Sequence, residues 1–563
     1  MKAPGLQIAV FRDAAGALRA IDNLCPHEGY PLVSGNVRDC VLTCAWHNFK
    51  FSLDDGSCLV GEEDVRVWPV REVDGVVEVD LAGPAPDAER ARLLESLAAG
   101  LHEPDEIGRV VRDAVRLIEA GEAPVSILAR AAAFDARHAR YGSTHALPVA
   151  ADIASWLPRY RGTDVVHPLA QALELAAQSG HRRPPRAVPA PEDPGSDLLA
   201  AERSLRERIE REDMAGAEAL LRGALAAGAT RRDVEPWLLG PTTDHFLGFG
   251  HGLIYAVKVF DLLDATGWEW AREILPATLF GIASDVREDT LPLHATLAAT
   301  LAKIEPELPE LYGAARSDAP FDRAAFLGAV LDGKKAQALT AVIDALRGGV
   351  AAERIASALV VAGAERWLRF DDALDADPTI AEGWLDVTHV FTFASAVRTA
   401  LTRLRRPESL RWLLHAAAFV ARTRGLDLDP ASRIDDRAED CDDVERILSA
   451  IRARDPRRAV ALGLGWLRGE GDRVSPLRTA LESLPLHDAT PVPIVTAHVI
   501  KCITAACDEA AALLHGPDAA AVRPLMALLR WLACPVEQRF LRRRTHEAIE
   551  LVSRARPPRR RVH

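Results

Sequence analysis

Four residues near the N-terminus have the types and spacing of a metal site. They are Cys25 and His27 in Cys25-Pro26-His27, and Cys44 and His47 in Cys44-Ala45-Trp46-His47, with sixteen residues between His27 and Cys44. Thiolates and neutral imidazoles are donors that suit iron–sulfur clusters and zinc. Structural zinc favours paired Cys-x-x-Cys spacings, which this segment lacks. A second constellation lies further along: Thr144-His145-Ala146-Leu147, Gly250-His251-Gly252-Leu253-Ile254, Thr388-His389-Val390-Phe391 and Ala497-His498-Val499-Ile500. Each sets a histidine after a small or hydroxyl-bearing residue, early in an apolar helical stretch, at irregular intervals of about 100 to 140 residues. A lone histidine on an apolar helix is ordinarily a hydrogen-bonded core residue. Four in one local context are expected instead to line a shared pocket, as ligands or proton-transfer groups.

The Cys-x-His and Cys-x-x-His pair closely resembles the Rieske ferredoxin family, including the type that feeds ring-hydroxylating oxygenases. Gly29, Pro31, Leu32 and Gly35 after the first pair and Phe51 after the second agree with it, and the resemblance covers roughly the first 80 residues. It implies a [2Fe–2S] cluster with Cys25 and Cys44 on the inner iron and His27 and His47 on the outer one. Two ferric ions, two sulfides and two thiolates sum to zero charge, so the cluster accepts an electron more easily than a four-thiolate one. Respiratory-complex Rieske proteins add a Ser and a Tyr that donate hydrogen bonds to the cluster, and a bracing Cys pair. Here the corresponding run is Asn48-Phe49-Lys50-Phe51, and Tyr30 and Trp46 stand where the extra cysteines would be. Fewer donors imply a potential at the low, oxygenase-ferredoxin end. Family members carry roughly one more strand before the one at Gln7. Cys40 and Cys58 do not match the motif and are expected to be buried thiols.

The elements that must hold these residues change character along the chain. Gln7–Arg12, Phe49–Leu53, Cys58–Val60, Val65–Val70 and Val76–Leu81 read as strands, with turns at Asp54-Asp55-Gly56 and Asp74-Gly75. After Ala82-Gly83-Pro84-Ala85-Pro86 the sequence is rich in Ala, Leu, Arg and Glu with helical periodicity, as in Ala88–Leu101 and Glu106–Ala120. The expected fold is therefore multidomain: a small all-β Rieske domain followed by a large all-α region. The divisions expected are 1–81 (Rieske), 82–87 (linker), 88–180 (helical subdomain), 181–197 (proline-rich linker), 198–552 (helical domain) and 553–563 (basic, solvated tail).

Composition narrows the function. The 563 residues are 48% hydrophobic and 26% charged, with a net charge of −13, which disfavours nucleic acid as a partner. Eight cysteines are too sparse for a disulfide framework, and no secretion signal or membrane-spanning run stands out, so a cytoplasmic location is expected. There is no P-loop, no dinucleotide-binding glycine motif after a strand and no Gly-x-Ser-x-Gly. Electrons are thus expected from a separate reductase or ferredoxin.

The acceptor would lie in the helical region. Rieske oxygenases feed an iron held by two His and a carboxylate, typically on an Asp-x2-His-x4-His run. Asp135, His138 and His145 approach that pattern, but ten residues of helix rise about 15 Å, so Gly142-Ser143 would have to fold the chain back. Asp244-His245 and Asp386 place carboxylates near the repeated histidines, and His167, His415 and His515 are weaker echoes of the repeat. Trp268 and Trp270 are expected to be packing residues. The runs at 250–254 and 496–501 resemble the questin oxidase-like family, helical proteins linked to oxidative cleavage of polyketide rings. The reading is an oxidoreductase whose cluster relays electrons to a helical domain acting on a small organic, aromatic or polyketide-like substrate. His145, His251, His389 and His498 would line the pocket, with a second non-haem iron as a further cofactor. The competing readings are an electron-transfer ferredoxin with a helical docking scaffold, and an iron–sulfur redox sensor.

Overall fold

The computed structural model describes all residues except 1, 4–5, 62, 83–85, 104–106, 489–491, 515–518, 537–540, 558 and 562–563. The N-terminal segment folds into ten short strands: β1 Lys2–Ala3, β2 Leu6–Arg12, β3 Leu18–Asp22, β4 Asn36–Arg38, β5 Val41–Thr43, β6 Lys50–Ser52, β7 Cys58–Val60, β8 Val67–Trp68, β9 Val70–Val73 and β10 Val76–Val79. They form a sheet ordered β1-β2-β3-β8, a second ordered β4-β5-β6-β7 and a β9-β10 hairpin. The second sheet is inserted between β3 and β8, which lets both cysteine–histidine loops emerge from one lobe. Ile21, Leu32, Leu42, Phe51, Leu53 and Val65 pack with Cys25 and Cys44 into its core.

The expected hairpin at Asp54-Asp55-Gly56 forms. Gly56 has φ 78° there, and a Cβ would lie 1.9 Å from the Val65 carbonyl oxygen, so no other residue fits. The single strand expected over Val65–Val70 is broken at Pro69, whose missing N–H ends one pairing before β9 begins another. β3, β4 and β5 were not anticipated, the last two because three-residue strands are too short to display alternation. β1 supplies two residues of an edge strand before β2. Cys40 and Cys58 are half-buried rather than buried, since both sit near turns at the domain surface.

From Pro86 onward the chain is helical. Helices Pro86–Gly100 and Ile107–Glu119 agree with the periodicity to within two residues at the bounds the structure describes, Glu106 lying outside the described residues. In the second, Val110, Ala114 and Leu117 turn one stripe into the core. One continuous hydrophobic core runs from Leu93 to Cys534, shared by helices on both sides of the proline-rich segment. That segment lies against the helix Met214–Ala226, with Arg186 clamping the buried carboxylate of Glu218 at 2.7 and 2.8 Å. Trp270 packs on this core and under the Arg130 guanidinium, and Trp268 is also partly buried. The basic tail is exposed along its described residues and is also tied to the helical region by two bonds from backbone N–H groups: the Ala381 N–H donates to the Arg559 carbonyl at 3.1 Å and the Arg561 N–H to Glu382 at 3.1 Å. Among the described residues no helix is long and apolar enough to cross a membrane.

The β domain is fastened to the helices by one buried carboxylate. Arg112 donates to Glu63 Oε2 at 2.7 and 3.0 Å, and Arg116, four residues on and so on the same helix face, donates to Oε1 at 2.6 Å. Arg112 also reaches the His27 carbonyl oxygen at 3.4 Å. Glu63→Gln should weaken this seam by about 1–2 kcal/mol, the lower part of the range for charge-assisted bonds because both arginines are partly exposed. Limited proteolysis is then expected to cut faster between residues 81 and 107 while the main thermal transition stays in place.

Candidate functional site: two imidazole centres

Cys25 and His27 lie on the β3–β4 loop, and Cys44 and His47 on the β5–β6 loop. Each loop is closed by backbone bonds: Cys25 N–H to the Tyr30 carbonyl at 2.9 Å, Gly29 N–H to the Cys25 carbonyl at 2.7 Å, and Cys44 N–H to the Phe49 carbonyl at 2.8 Å. Gly29 and Asn48 adopt φ of 72° and 63°, the left-handed conformations such tight loops need. The thiols are buried at 3% exposure each, whereas the His47 side chain is 39% exposed. The two Nδ1 atoms face each other at 3.0 Å, with His27 stacked on Phe49 at 4.7 Å. Burial pushes the Cys25 thiol up to about 11, and neighbouring Cys44 adds to the rise. Buried thiols side by side resist ionising unless a cation compensates, and ferric iron supplies that charge. The donor set therefore fits a [2Fe–2S] cluster, with sulfurs inside and ring nitrogens outside.

The second centre is built from four helices. Ala146–Trp156, His251–Thr266, Trp384–Arg403 and Pro493–Leu513 pack in a closed ring, each against the next and the last against the first. His389 and His498 are each the sixth residue of their helices, and each donates its Nδ1–H to the carbonyl four residues back, Leu385 and Ile494, at 2.6 Å. His251 does the same to the Gly248 carbonyl at 2.6 Å. These bonds fix one tautomer and leave Nε2 unprotonated. His251 Nε2 then lies 2.9 Å from His389 Nε2, which lies 3.2 Å from His498 Nε2. His145 completes the set: its ring is 5.2 Å from that of His251 and 4.9 Å from that of His498. Its Nδ1 meets Tyr255 Oη at 3.2 Å, and its buried Nε2 has no hydrogen-bond partner.

Local backbone chemistry explains the convergence. Gly248, Phe249 and Gly250 all have positive φ, and a Cβ on Gly250 would lie 2.5 Å from the Phe393 ring. That turn swings His251 against the His389 helix. Gly142, at φ 88°, presses on the Ala277 carbonyl, where a Cβ would come within 2.1 Å. Asp135 then accepts from both Thr144 N–H and Thr144 Oγ1–H, at 2.8 and 2.7 Å, and so sets the start of the helix after His145.

Burial disfavours the imidazolium, holding His145, His389 and His498 well below the ordinary histidine range and His251 down at about 4. Unprotonated Nε2 lone pairs 2.9 to 3.2 Å apart repel unless a cation lies among them. Two nitrogens bonded to one metal at about 2.1 Å and near right angles are about 3 Å apart, so the spacing fits a metal ion. The ligand nitrogens of His145, His251 and His389 lie within 4.8 Å of one another, and among the described residues no carboxylate joins that group. This differs from a two-histidine, one-carboxylate site.

The other sequence candidates fall elsewhere. The Gly142 turn carries His145 away from His138, which bonds to the Phe134 carbonyl and stacks on Phe134, so Asp135, His138 and His145 do not form a triad. Asp244 pairs with Arg206 and Arg411, His245 with Glu210 and Asp289, and Asp386 accepts from the Gly383 N–H. His415 is buried against the Thr243 carbonyl, His167 is exposed and His515 lies outside the described residues. Two residues of the centre were not anticipated, Tyr255 and Lys501. Tyr255 follows His251 by four residues and Lys501 follows His498 by three, spacings that put each pair on one helix face and could have flagged them.

A small β domain with two loops, each offering a buried thiol and an outward imidazole, defines an iron–sulfur electron-transfer unit. Residues 1–70 match the Rieske [2Fe-2S] domain family, and this part of the chain belongs to it. It is 40% identical over 86 residues to a 3-chlorobenzoate-3,4-dioxygenase oxygenase subunit of Comamonas testosteroni, covering 13% of this chain and 20% of the relative. It is 34% identical over 92 residues to a 4β-methylsterol monooxygenase of Methylococcus capsulatus, covering 14% and 25%. It is 40% identical over 76 residues to an anthranilate 1,2-dioxygenase ferredoxin subunit of Burkholderia cepacia, covering 13% and 69%. The match thus spans a fifth to a quarter of the length of the two oxygenase relatives. No solved structure matches the chain. At the level of the family, the N-terminal domain is a Rieske [2Fe-2S] domain shared with oxygenase and ferredoxin subunits.

The loop after His47 places Phe49 and Phe51, not hydroxyls, behind the cluster position. A redox titration is expected to give a midpoint toward the low end of the Rieske range, near about −150 mV. Phe51→Tyr should raise it if the new hydroxyl reaches a sulfur. A strongly positive wild-type midpoint contradicts this account of the loop.

Proposed function

We propose that the chain is a two-centre oxidoreductase, in which Cys25, His27, Cys44 and His47 would hold a cluster that supplies single electrons, His145, His251, His389 and His498 would hold a metal that receives them, and the helical region oxidises or oxygenates a small organic substrate. The observation that carries the reading is the meeting of unprotonated Nε2 atoms at 2.9 and 3.2 Å inside a closed ring of helices. A bound transition metal would supply a Lewis-acidic, redox-capable site for dioxygen or substrate. The chain does the rest. The Leu385, Ile494 and Gly248 carbonyls hold three of the rings in one tautomer, Tyr255 orients His145, and His389 and His498 are buried.

Packed elements connect the centres: Arg112 touches the His27 carbonyl, its helix packs on Val166–Gly180, and that helix packs on Ala146–Trp156, which starts at His145. Room for an organic molecule borders the His498 helix, at a cavity that no member of the histidine centre lines. A cavity of about 440 Å³ is walled by Ile451, Leu484, Trp531 and by Val495 and Val499, which flank His498 on its helix. The names of the oxygenase relatives include a chlorobenzoate and a methylsterol, so the shared domain does not select the substrate and the helical region must. Electrons would come from a separate reductase or ferredoxin docking where His47 is exposed.

The test is metal content. Wild-type protein should hold one transition-metal ion per chain beyond the cluster iron, and His389→Ala should lose that ion while keeping the cluster's spectrum. Adding the metal at 100 times its Kd should stabilise metal-free wild type by about 2.7 kcal/mol and leave His389→Ala unmoved. Metal that only matches the cluster would favour the docking-scaffold reading.

A further inference from the structure

Lys501 is the one feature of the centre that its proposed chemistry does not yet use. It is 3% exposed, and its Nζ lies 3.5 Å from His498 Nε2. That is its single hydrogen bond among the described residues, and it makes no ion pair there. Nearby buried carboxylates are committed elsewhere. Asp152 is held by Lys258 Nζ at 2.6 Å, Asp135 by the N–H and hydroxyl of Thr144, and Asp386 by the Gly383 N–H. A buried ammonium without a counter-ion is costly, and a divalent ion held by four neutral imidazoles beside it adds two further positive charges. Among the described residues no carboxylate reaches ion-pair distance of Lys501; Asp152, paired with Lys258, acts on it only from further off. His145 precedes and His251 begins its helix, so the partial positive ends of those two helix dipoles lie near the spot, whereas His389 and His498 lie a turn inside theirs.

We propose that Lys501 and the four-histidine centre together form a binding site for an anionic ligand, whose negative donor atom lies between the ammonium and the metal. The proposal rests on the metal-centre reading above and adds its ligand class: the molecule that enters is an anion, or has an anionic end, and a neutral ligand of equal size is bound far less well. Lys501 supplies charge and a hydrogen bond to the ligand; it is not a fifth metal ligand.

The experiment is calorimetric titration of the metal-loaded full chain with azide, benzoate and neutral imidazole, alongside metal analysis of the same samples. Wild type is expected to bind azide, and Lys501→Gln to retain its metal but bind azide at least tenfold more weakly. Lys501→Arg, which keeps the charge, should stay within about threefold of wild type and controls for folding. Benzoate binding that also depends on Lys501 would assign the ligand to an organic carboxylate. Dependence confined to azide would assign it to a small inorganic anion. Equal azide affinity in wild type and Lys501→Gln overturns the proposal, as does imidazole binding as tightly as azide. Loss of metal from Lys501→Gln also overturns it, because the lysine would then be a ligand. Wild-type protein that holds no metal beyond the cluster defeats the metal-centre reading itself, a result separable from every one of these.

Discussion

Everything in the helical region is arranged around imidazole nitrogens that cannot share a space by themselves. Each of three rings spends its only N–H on a carbonyl of its own helix or of the turn just before it, at 2.6 Å. Their other nitrogens are then acceptors that meet at 2.9 and 3.2 Å. Acceptor facing acceptor away from water costs free energy, and among the described residues no donor except Lys501 reaches it. Closing a ring of four helices over such a point makes physical sense if a cation belongs there. The kinked Gly248-Phe249-Gly250 turn, the strained approach at Gly142 and the Asp135 clamp on Thr144 all serve to bring the histidines to that point.

The two ends of the chain differed in how much their sequence disclosed. The cluster loops were legible because their ligands are close in sequence and the spacing is set by local turns, which Gly29 and Asn48 carry out. The four helical histidines were legible only as a repeated context. Their meeting is a long-range event, with His251 and His389 138 positions apart and His389 and His498 109 positions apart. Sequence separation hides such contacts because nothing local fixes them. The Asp135, His138 and His145 pattern failed for the converse reason: proximity in sequence suggested a joint site, and one glycine turn separated its members. Lys501 was overlooked because a lysine on an apolar helix reads as a surface residue until its neighbours are known.

The seam between the domains has a comparable economy. Glu63 is buried at 6% exposure and satisfied by two arginines from one helix, one of which also holds the backbone of His27. Partnering both carboxylate oxygens removes the usual cost of burying a charge, and it fixes the orientation of the cluster loop relative to the helices. The apolar seam between the domains can therefore stay small.

The two centres use histidine in opposite senses, and the difference suits their places. At the cluster, Nδ1 faces inward. Nδ1 is the nitrogen nearer the backbone, so ligation through it keeps iron close to the loop and turns the far edge of the ring, with its N–H, toward solvent. That edge is where a partner protein can take or give an electron. At the helical centre Nε2 faces inward, and Nδ1 is bound back to the main chain. Ligation through Nε2 holds a metal a full ring-length from the backbone, in the middle of the bundle, where no protein partner can touch it. Under the proposed function, electrons for the buried centre would then have to arrive through the chain itself, and the exposed imidazole of His47 would be the place for them to enter.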